Sequence, residues 1–527
     1  MGLAISGGVD SMAMASLCSM AAQGNGSSPS LTAFIVDHKL RPGSTEEAKS
    51  VAHELRCMNL QPRILTLDWI ANGIDPASTS HLEHAARRLR YQAIGKACRE
   101  SGINTLLVAH HADDQAETVL MRLISSYHGS GLQGIKAVKP LPECHGMYGI
   151  HASGTPRDAN EADLTYDRIL LEGGGVSIYR PLLPYSKADL MSYCHDVGVR
   201  WFEDKTNDDQ QFALRNTVRY MLRQDVLPVA LRRFGLLEIA TKLGQKEEGN
   251  ELCAQQQIAG TPFELDVRSG RLVVRGSNNS RFTAPLTTSK DIKIKAIALR
   301  RLLTLVAPTD TLQLQDAYTV LVKLATQTQS SLQTAGVDLT HIDERQELTM
   351  RRQVPNTREL KTCVIALTPK DSVQQISTSR PFVWHLWDCR YWLRVSHATN
   401  HDEHIIARFL TPRDLALLRQ CLSDSEEVSL EKALSLVPGS LRYTVPVLVL
   451  QSPATEEGDP EVEKIVALPT LGWSKDGWYR WPMDDALGTG KVPGGYWDVR
   501  YRKIDLEATD YHDIIARQPA KDHQARR

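Results

Sequence analysis

Nine cysteines are spread through the chain without a single CxxC pair, so spacing offers no zinc ribbon, iron–sulfur cradle or secreted disulfide framework. No apolar run is long enough to span a bilayer, and no membrane partner is expected. An excess of one charge is missing too: 61 basic residues against 62 acidic ones leave a formal net charge of -1, and a polyanionic partner must be sought in local clusters. No internal repeat and no secretory signal is visible. Barely a strand's length precedes the first glycine loop, which predicts a native N-terminus further upstream, one that could carry a mitochondrial presequence.

What is present at 527 residues exceeds one hydrophobic core. Short apolar runs at Leu3–Ile5, Leu31–Val36, Arg63–Leu67 and Thr105–Ala109 read as strands. Amphipathic stretches at Asp10–Ala22, Thr45–Met58, His81–Ser101 and Asp113–Ser125 read as the helices between them. This succession predicts an α/β fold with a parallel, Rossmann-like sheet whose ligands bind beyond the carboxyl ends of its strands. Periodicity lapses from Pro140 to Gly175, read as a surface insertion without chemistry. The expected division is a catalytic domain over 1–235 with an insertion at about 140–178, a mixed, mainly helical region over 236–370, and a β-containing module over 380–527. A linker is expected at Lys370–Ser379. Seven of the nine tryptophans lie in the last module; they could stack on bases, but core packing is the preferred reading.

Ser6, Gly7, Gly8, Val9, Asp10 and Ser11 join the first strand to the first helix, where backbone amides and the helix dipole favour an anion. Glycines let the backbone approach phosphate oxygens, and Asp10 could hold Mg²⁺ against them. A plain capped serine–glycine turn is the competing reading. A second glycine stretch, Gly488–Val492, has Asp485 and Val492 where a Walker loop needs glycine and a hydroxyl, and reads as a turn. After the fourth strand, His110 and His111 lead into Asp113, Asp114 and Glu117. Asp113 and Glu117 share a helix face, suited to Mg²⁺ or to the ammonium of an amine substrate; simple N-terminal capping explains one carboxylate but not the cluster. Arg215, Arg219 and Arg223 recur every four residues as a cationic stripe that could follow phosphates or merely face solvent. Arg87 and Arg90 also share a face.

Taken together, SGGVDS, VDHKLRPGS, AARRLRY, HHADDQAET, RPLL and EDKTND…RN resemble the tRNA(Ile)-lysidine synthases, a family of the PP-loop ATP pyrophosphatase superfamily. The resemblance covers about the first 230 residues. It implies a sheet of the adenine nucleotide alpha hydrolase type, followed here by a helical and β-rich C-terminal region. It further implies ATP and Mg²⁺ as cofactors, and adenylation of the C2 oxygen of the wobble cytidine in a tRNA(Ile) with a CAU anticodon. Free L-lysine then displaces AMP. The residues it brings forward are Asp10, Asp37, Asp113, Asp114 and Glu117 for catalysis, and Ser6 to Ser11 with His110 for ATP. Arg87, Arg90, Arg215, Asn216 and Arg219 are brought forward for tRNA or substrate. His128 departs from the family pattern, standing where an arginine usually precedes GSG. A thiolase of the same superfamily and an inactive tRNA-binding relative are the alternatives. The expected compartment is the mitochondrial matrix for a eukaryotic source and the cytoplasm for a bacterial one; a homodimer is one oligomeric state open to the chain.

Overall fold

Strand β1 (Gly2–Ile5) shows how the N-terminal sheet is filled on both faces. Leu3 and Ile5 point into a core shared with helix α1 (Val9–Gly24), helix α2 (Ser44–Cys57) and helix α5 (Lys187–Val197). Ala4, one register off, meets the opposite core, built on helix α3 (Leu82–Glu100). Such alternation buries both sides of a parallel strand. In this computed structural model the described residues are 1–24, 30–76, 78–156, 169–202, 214–224, 226–275, 289–326, 329–342, 347–367, 383–397, 403–452, 462–480 and 495–504. The expected linker at 370–379, the turn at 488–492 and the EDKTND stretch lie outside them.

The remaining strands of this sheet are β2 (Thr32–Asp37), β3 (Gln61–Thr66), β4 (Thr105–Val108), β5 (Val138–Pro140) and, after a short β6 (Leu170–Leu171) that belongs elsewhere, β7 (Ser177–Tyr179). Their order is β3-β2-β1-β4-β7-β5, parallel except for β5 against β7. The chain builds outward from β1 to β3 and then crosses to β4 on the other side. The carboxyl ends of β1 and β4 therefore flank the point where strand order reverses, the usual ligand crevice of such a sheet. Helix α4 (Ala112–Ile124) starts at that edge, and helix α6 (Leu214–Arg223) packs on it through Val218.

Two compact units divide the chain: residues 1–154 with 174–249, and 155–173 with 250–527. Helix α7 (Arg233–Ala259) runs across that boundary. In the second unit, the segment expected to be mainly helical also contains a five-stranded antiparallel sheet formed by 263–266, 271–275, 329–334, 337–342 and 347–352. Alternating residues of Glu347–Arg352 are buried, the period of a half-buried strand. Among the described tryptophans after residue 380, Trp384, Trp387, Trp392, Trp473, Trp478 and Trp497 are all buried, in agreement with core packing.

Within the stretch read as a surface insertion, the described residues at both ends are packed into cores. Leu141, Cys144 and Ile150 are buried against α3, where a side chain on Gly95 would meet Ile150 at 2.9 Å and Leu141 at 3.0 Å. Further along, β6 adds to the strand Gly495–Tyr501 of the second unit, and Ile169 and Leu171 enter its core. Without periodicity, single apolar residues separated by turns leave no helical or strand signature to read.

Candidate active site

The glycine loop closes over itself before helix α1 begins. Ser11 Oγ donates to the Gly8 carbonyl at 2.9 Å and lies 3.2 Å from Ser6 Oγ, while the Ser6 N–H donates to Ser11 Oγ at 3.3 Å. The first helical bond is Met12 N–H to Gly8 at 3.0 Å, so the amides of 8 to 11 precede the hydrogen-bonded ladder and point outward as anion donors. Gly7 sits at φ 88°, and a Cβ there would lie 2.7 Å from Val51 Cγ2; conformation and space both require glycine.

Across the crevice, His111 caps helix α4. Its Nδ1 lies 3.2 Å from the Asp113 backbone nitrogen and 3.5 Å from the Asp113 carboxylate, to which the charged ring donates, and its Nε2 lies 3.5 Å from both Asp10 and Asp114. Burial opposes a charged imidazole, but Asp10, Asp113 and Asp114 outweigh it and push the pKa up to about 10. His110, one residue earlier, goes the other way. Burial depresses it to about 4, opposed by Asp114 and reinforced by Arg180, Arg215 and Arg87. Adjacent histidines thus present one cation and one neutral ring.

The carboxylates are not equivalent. Asp113 accepts from the Lys187 N–H at 2.7 Å and from Arg233 at 3.2 Å. Its acidity is enhanced by His111 first, against the opposing effect of burial, and then by these two donors. Glu117, 6% exposed, is gripped by Arg219 Nε at 2.8 Å and Arg215 Nε at 3.3 Å; Arg215 also reaches Asp114 at 3.5 Å. Two of the three arginines in the stripe of α6, Arg215 and Arg219, are therefore turned onto α4, while Arg223 is exposed. Asp37 accepts from Lys39 N–H, Ser44 Oγ and Thr45 Oγ at 2.7 to 3.1 Å, which folds the loop after β2. Burial alone would raise its pKa, and those hydrogen bonds reverse the sign.

Asp10 differs from all of these: its Oδ1 is buried without a hydrogen-bond partner. A buried carboxylate oxygen so placed fits a hard cation at the mouth of a phosphate loop, as Mg²⁺ requires. Arg87 and Arg90 flank the Tyr91 ring at 4.9 and 5.3 Å, and Arg87 lies 3.6 Å from Glu143. Asn216 is on α6 beside Arg215.

The structure brings together Ser6 to Ser11, His110, Asp113, Asp114, Glu117, Arg215 and Arg219 through these contacts. Asp37 is engaged within its own loop at the neighbouring strand end. The sequence reading did not single out His111 and Arg180 as site residues. Both stood inside quoted motifs, but only burial and partners distinguish the capping histidine from its neighbour.

Residues 1–228 match the PP-loop domain family. Over 480 residues the chain is 28% identical to a probable tRNA(Ile)-lysidine synthase of Schizosaccharomyces pombe, covering 90% of this chain and 91% of that protein. A tRNA(Ile)-lysidine synthase of Bifidobacterium longum subsp. infantis is 33% identical over 245 residues, 45% of this chain and 52% of its own length. One from Zymomonas mobilis is 29% identical over 318 residues, 56% of this chain and 83% of its own. The chain thus spans nine-tenths of the fission-yeast relative and about half of the Bifidobacterium one.

Proposed function

We propose that this chain, whose residues 1–228 match the PP-loop domain family and which is similar to tRNA(Ile)-lysidine synthases, converts the wobble cytidine of a CAU-anticodon tRNA(Ile) to lysidine. The observation that carries this reading is the pairing of an amide-lined glycine loop with Asp10, whose Oδ1 has no protein partner, opposite the charged His111. Together they suit a triphosphate held by its β,γ end with the α-phosphorus facing the crevice.

In the first step the cytidine C2 oxygen attacks the α-phosphorus, the bond to the bridging oxygen breaks, and pyrophosphate leaves into the loop. The amides near Gly8 and the Ser6 and Ser11 hydroxyls receive its charge. Mg²⁺ held by Asp10 would neutralise the phosphate oxygens during this transfer. In the second step the free amine of lysine attacks C2, the C2–O bond breaks, and AMP departs with the oxygen. In this reading Asp114 and Glu117 accept the amine's proton, and Arg215, paired with both at 3.5 and 3.3 Å, balances their charge. The cationic His111 holds Asp10 and Asp114 at fixed positions.

The thiolase alternative draws no support from the cysteines. Cys98 and Cys144 lie near each other, but burial pushes both thiols up to about 12, away from nucleophilic thiolate. No helix is long and apolar enough to cross a membrane among the described residues. For a eukaryotic source, which the fission-yeast relative supports, the reading places the reaction in the mitochondrial matrix.

The test is direct: incubate the protein with CAU-anticodon tRNA(Ile), ATP, Mg²⁺ and labelled lysine. Label should enter the RNA with stoichiometric AMP. Release of ADP and orthophosphate, or RNA binding without AMP, would overturn the reading.

A further inference from the structure

Arg180 follows β7 at the same sheet edge as the glycine loop and is only 7% exposed. Its Nε donates to His110 Nδ1 at 3.3 Å and its Nη1 to the Lys136 carbonyl at 2.7 Å. Both partners are neutral. Among the described residues no carboxylate reaches it at ion-pairing distance, and its Nη2 makes no hydrogen bond. A buried guanidinium without a counter-charge is costly and is retained where a ligand brings the charge.

Its surroundings carry more positive than negative charge: Lys139 and Arg87 stand near it, and the one carboxylate acting on them, Glu143, lies 3.6 Å from Arg87. Lys139 lies on β5, one register position from the Val138–Tyr179 pair that precedes Arg180. Its residue as a whole is exposed, yet its ammonium is shifted down, first by desolvation and then by Arg180 and Arg87. Arg180 is itself shifted down by burial, with Arg87 acting in the same direction. By contrast the acidic cluster is closed: Asp113, Asp114 and Glu117 are matched by His111, Arg215, Arg219 and Arg233. The local excess is therefore cationic, and it sits at Arg180.

Three anions could enter the proposed reaction's crevice. The nucleotide's phosphates belong to the loop after β1, two strands from β7 and hence roughly 10 Å away. A tRNA backbone phosphate suits an accessible cation, which Arg180 is not. The remaining anion is the carboxylate of a small amino acid, whose oxygens can accept from Nη2 and from the second N–H of Nη1.

We propose that Arg180, with Lys139 beside it, seats the α-carboxylate of the free amino-acid substrate, leaving its side-chain amine to extend past His110 toward the acidic face of α4. This rests on the lysidine-forming reading and adds to it the feature that selects an amino acid over a simple amine.

The test compares lysine with cadaverine, which has the same amine chain and no carboxylate, in RNA-labelling assays with ATP, Mg²⁺ and the CAU tRNA. The wild-type protein should prefer lysine about 10-fold or more in kcat/KM, as expected for a charge-assisted bidentate contact. Arg180→Gln should raise KM for lysine by a similar factor, leave KM for cadaverine little changed, and bring the preference close to one. Lys139→Gln should shift the preference in the same direction by less. Equal use of lysine and cadaverine by the wild type, or a preference that survives in Arg180→Gln while KM for tRNA rises, would overturn the assignment. If Arg180→Gln does not melt cooperatively, the wild-type ratio and Lys139→Gln carry the test. If the wild type labels RNA with neither amine, the lysidine reading itself falls and takes this proposal with it.

Discussion

Asp10 is the carboxylate at the crevice with an unpartnered oxygen, whereas Asp113 and Glu117 are held by two or more donors each. In the proposed reaction its removal takes away the Mg²⁺ ligand, and the ion pair it breaks is that to His111. Asp10→Ala should lower tRNA-dependent AMP formation about 100-fold or more while the melting temperature moves little; AMP release at the wild-type rate would refute the role. Gly7 makes the opposite kind of prediction. A side chain there faces both a left-handed φ and the Val51 contact, so Gly7→Ala should destabilise by about 1–3 kcal/mol, measured by chemical unfolding, and should weaken ATP binding with it.

His110 titrates near 4 in the folded protein, against about 6.5 in an unfolded chain. Below pH 6.5 the unfolded state takes up a proton that the folded state refuses. The contribution of this neutral ring is complete above pH 6.5 and is lost as pH falls through 4, on the order of 3 kcal/mol in all. Unfolding free energies measured from pH 7 to pH 4 should show this slope, and His110→Gln should flatten it.

At the scale of elements, α4 and α6 are joined by an apolar seam, with Ala116, Val119, Leu120 and Val218 all buried, and by a polar clamp on Glu117. The clamp orders α6, whose arginines stand next to the crevice. Glu117→Ala leaves Arg215 with Asp114 alone, at 3.5 Å, and Arg219 without this anion. The two guanidinium groups remain 41% and 28% exposed, so water offsets much of the loss and the expected cost is about 1–3 kcal/mol, below that of a fully buried pair. Hydrogen exchange should show faster opening of Leu214–Arg223, with α1 unaffected.

Across the whole molecule, the segment 155–173 leaves the first unit and returns to it through the paired Gly154 and Gly174. Between them, Ile169 and Leu171 fill the second unit's core, and the fully buried Glu172 carboxylate meets Arg500 at 3.0 Å. Excising 155–173 and joining Gly154 to Gly174 should destabilise the second unit by about 3–6 kcal/mol, from two buried aliphatic side chains. Amide protection at Gly495–Tyr501 should fall while that of Thr105–Val108 persists. A neutral outcome would restore the view of this stretch as a dispensable surface loop.

The alternating strands and helices of the first sheet, the glycine loop and the acidic start of α4 could all be read from residues a few positions apart, because backbone geometry, capping and side-chain period are near-neighbour effects. The tryptophans' burial followed from their preference for filling β cores. Other properties depended on residues far apart in the chain. Arg215 and Arg219 meet Glu117 across about a hundred positions, turning an apparent phosphate stripe into a clamp. His110 and His111 are chemically identical and adjacent, yet take opposite charge states through burial and the groups each one faces. Arg180 reads as one more basic residue until folding buries it without an anion. Local pattern specifies the elements and their edge; desolvation and charge pairing, which exist only once distant segments are packed, assign each side chain at that edge its task.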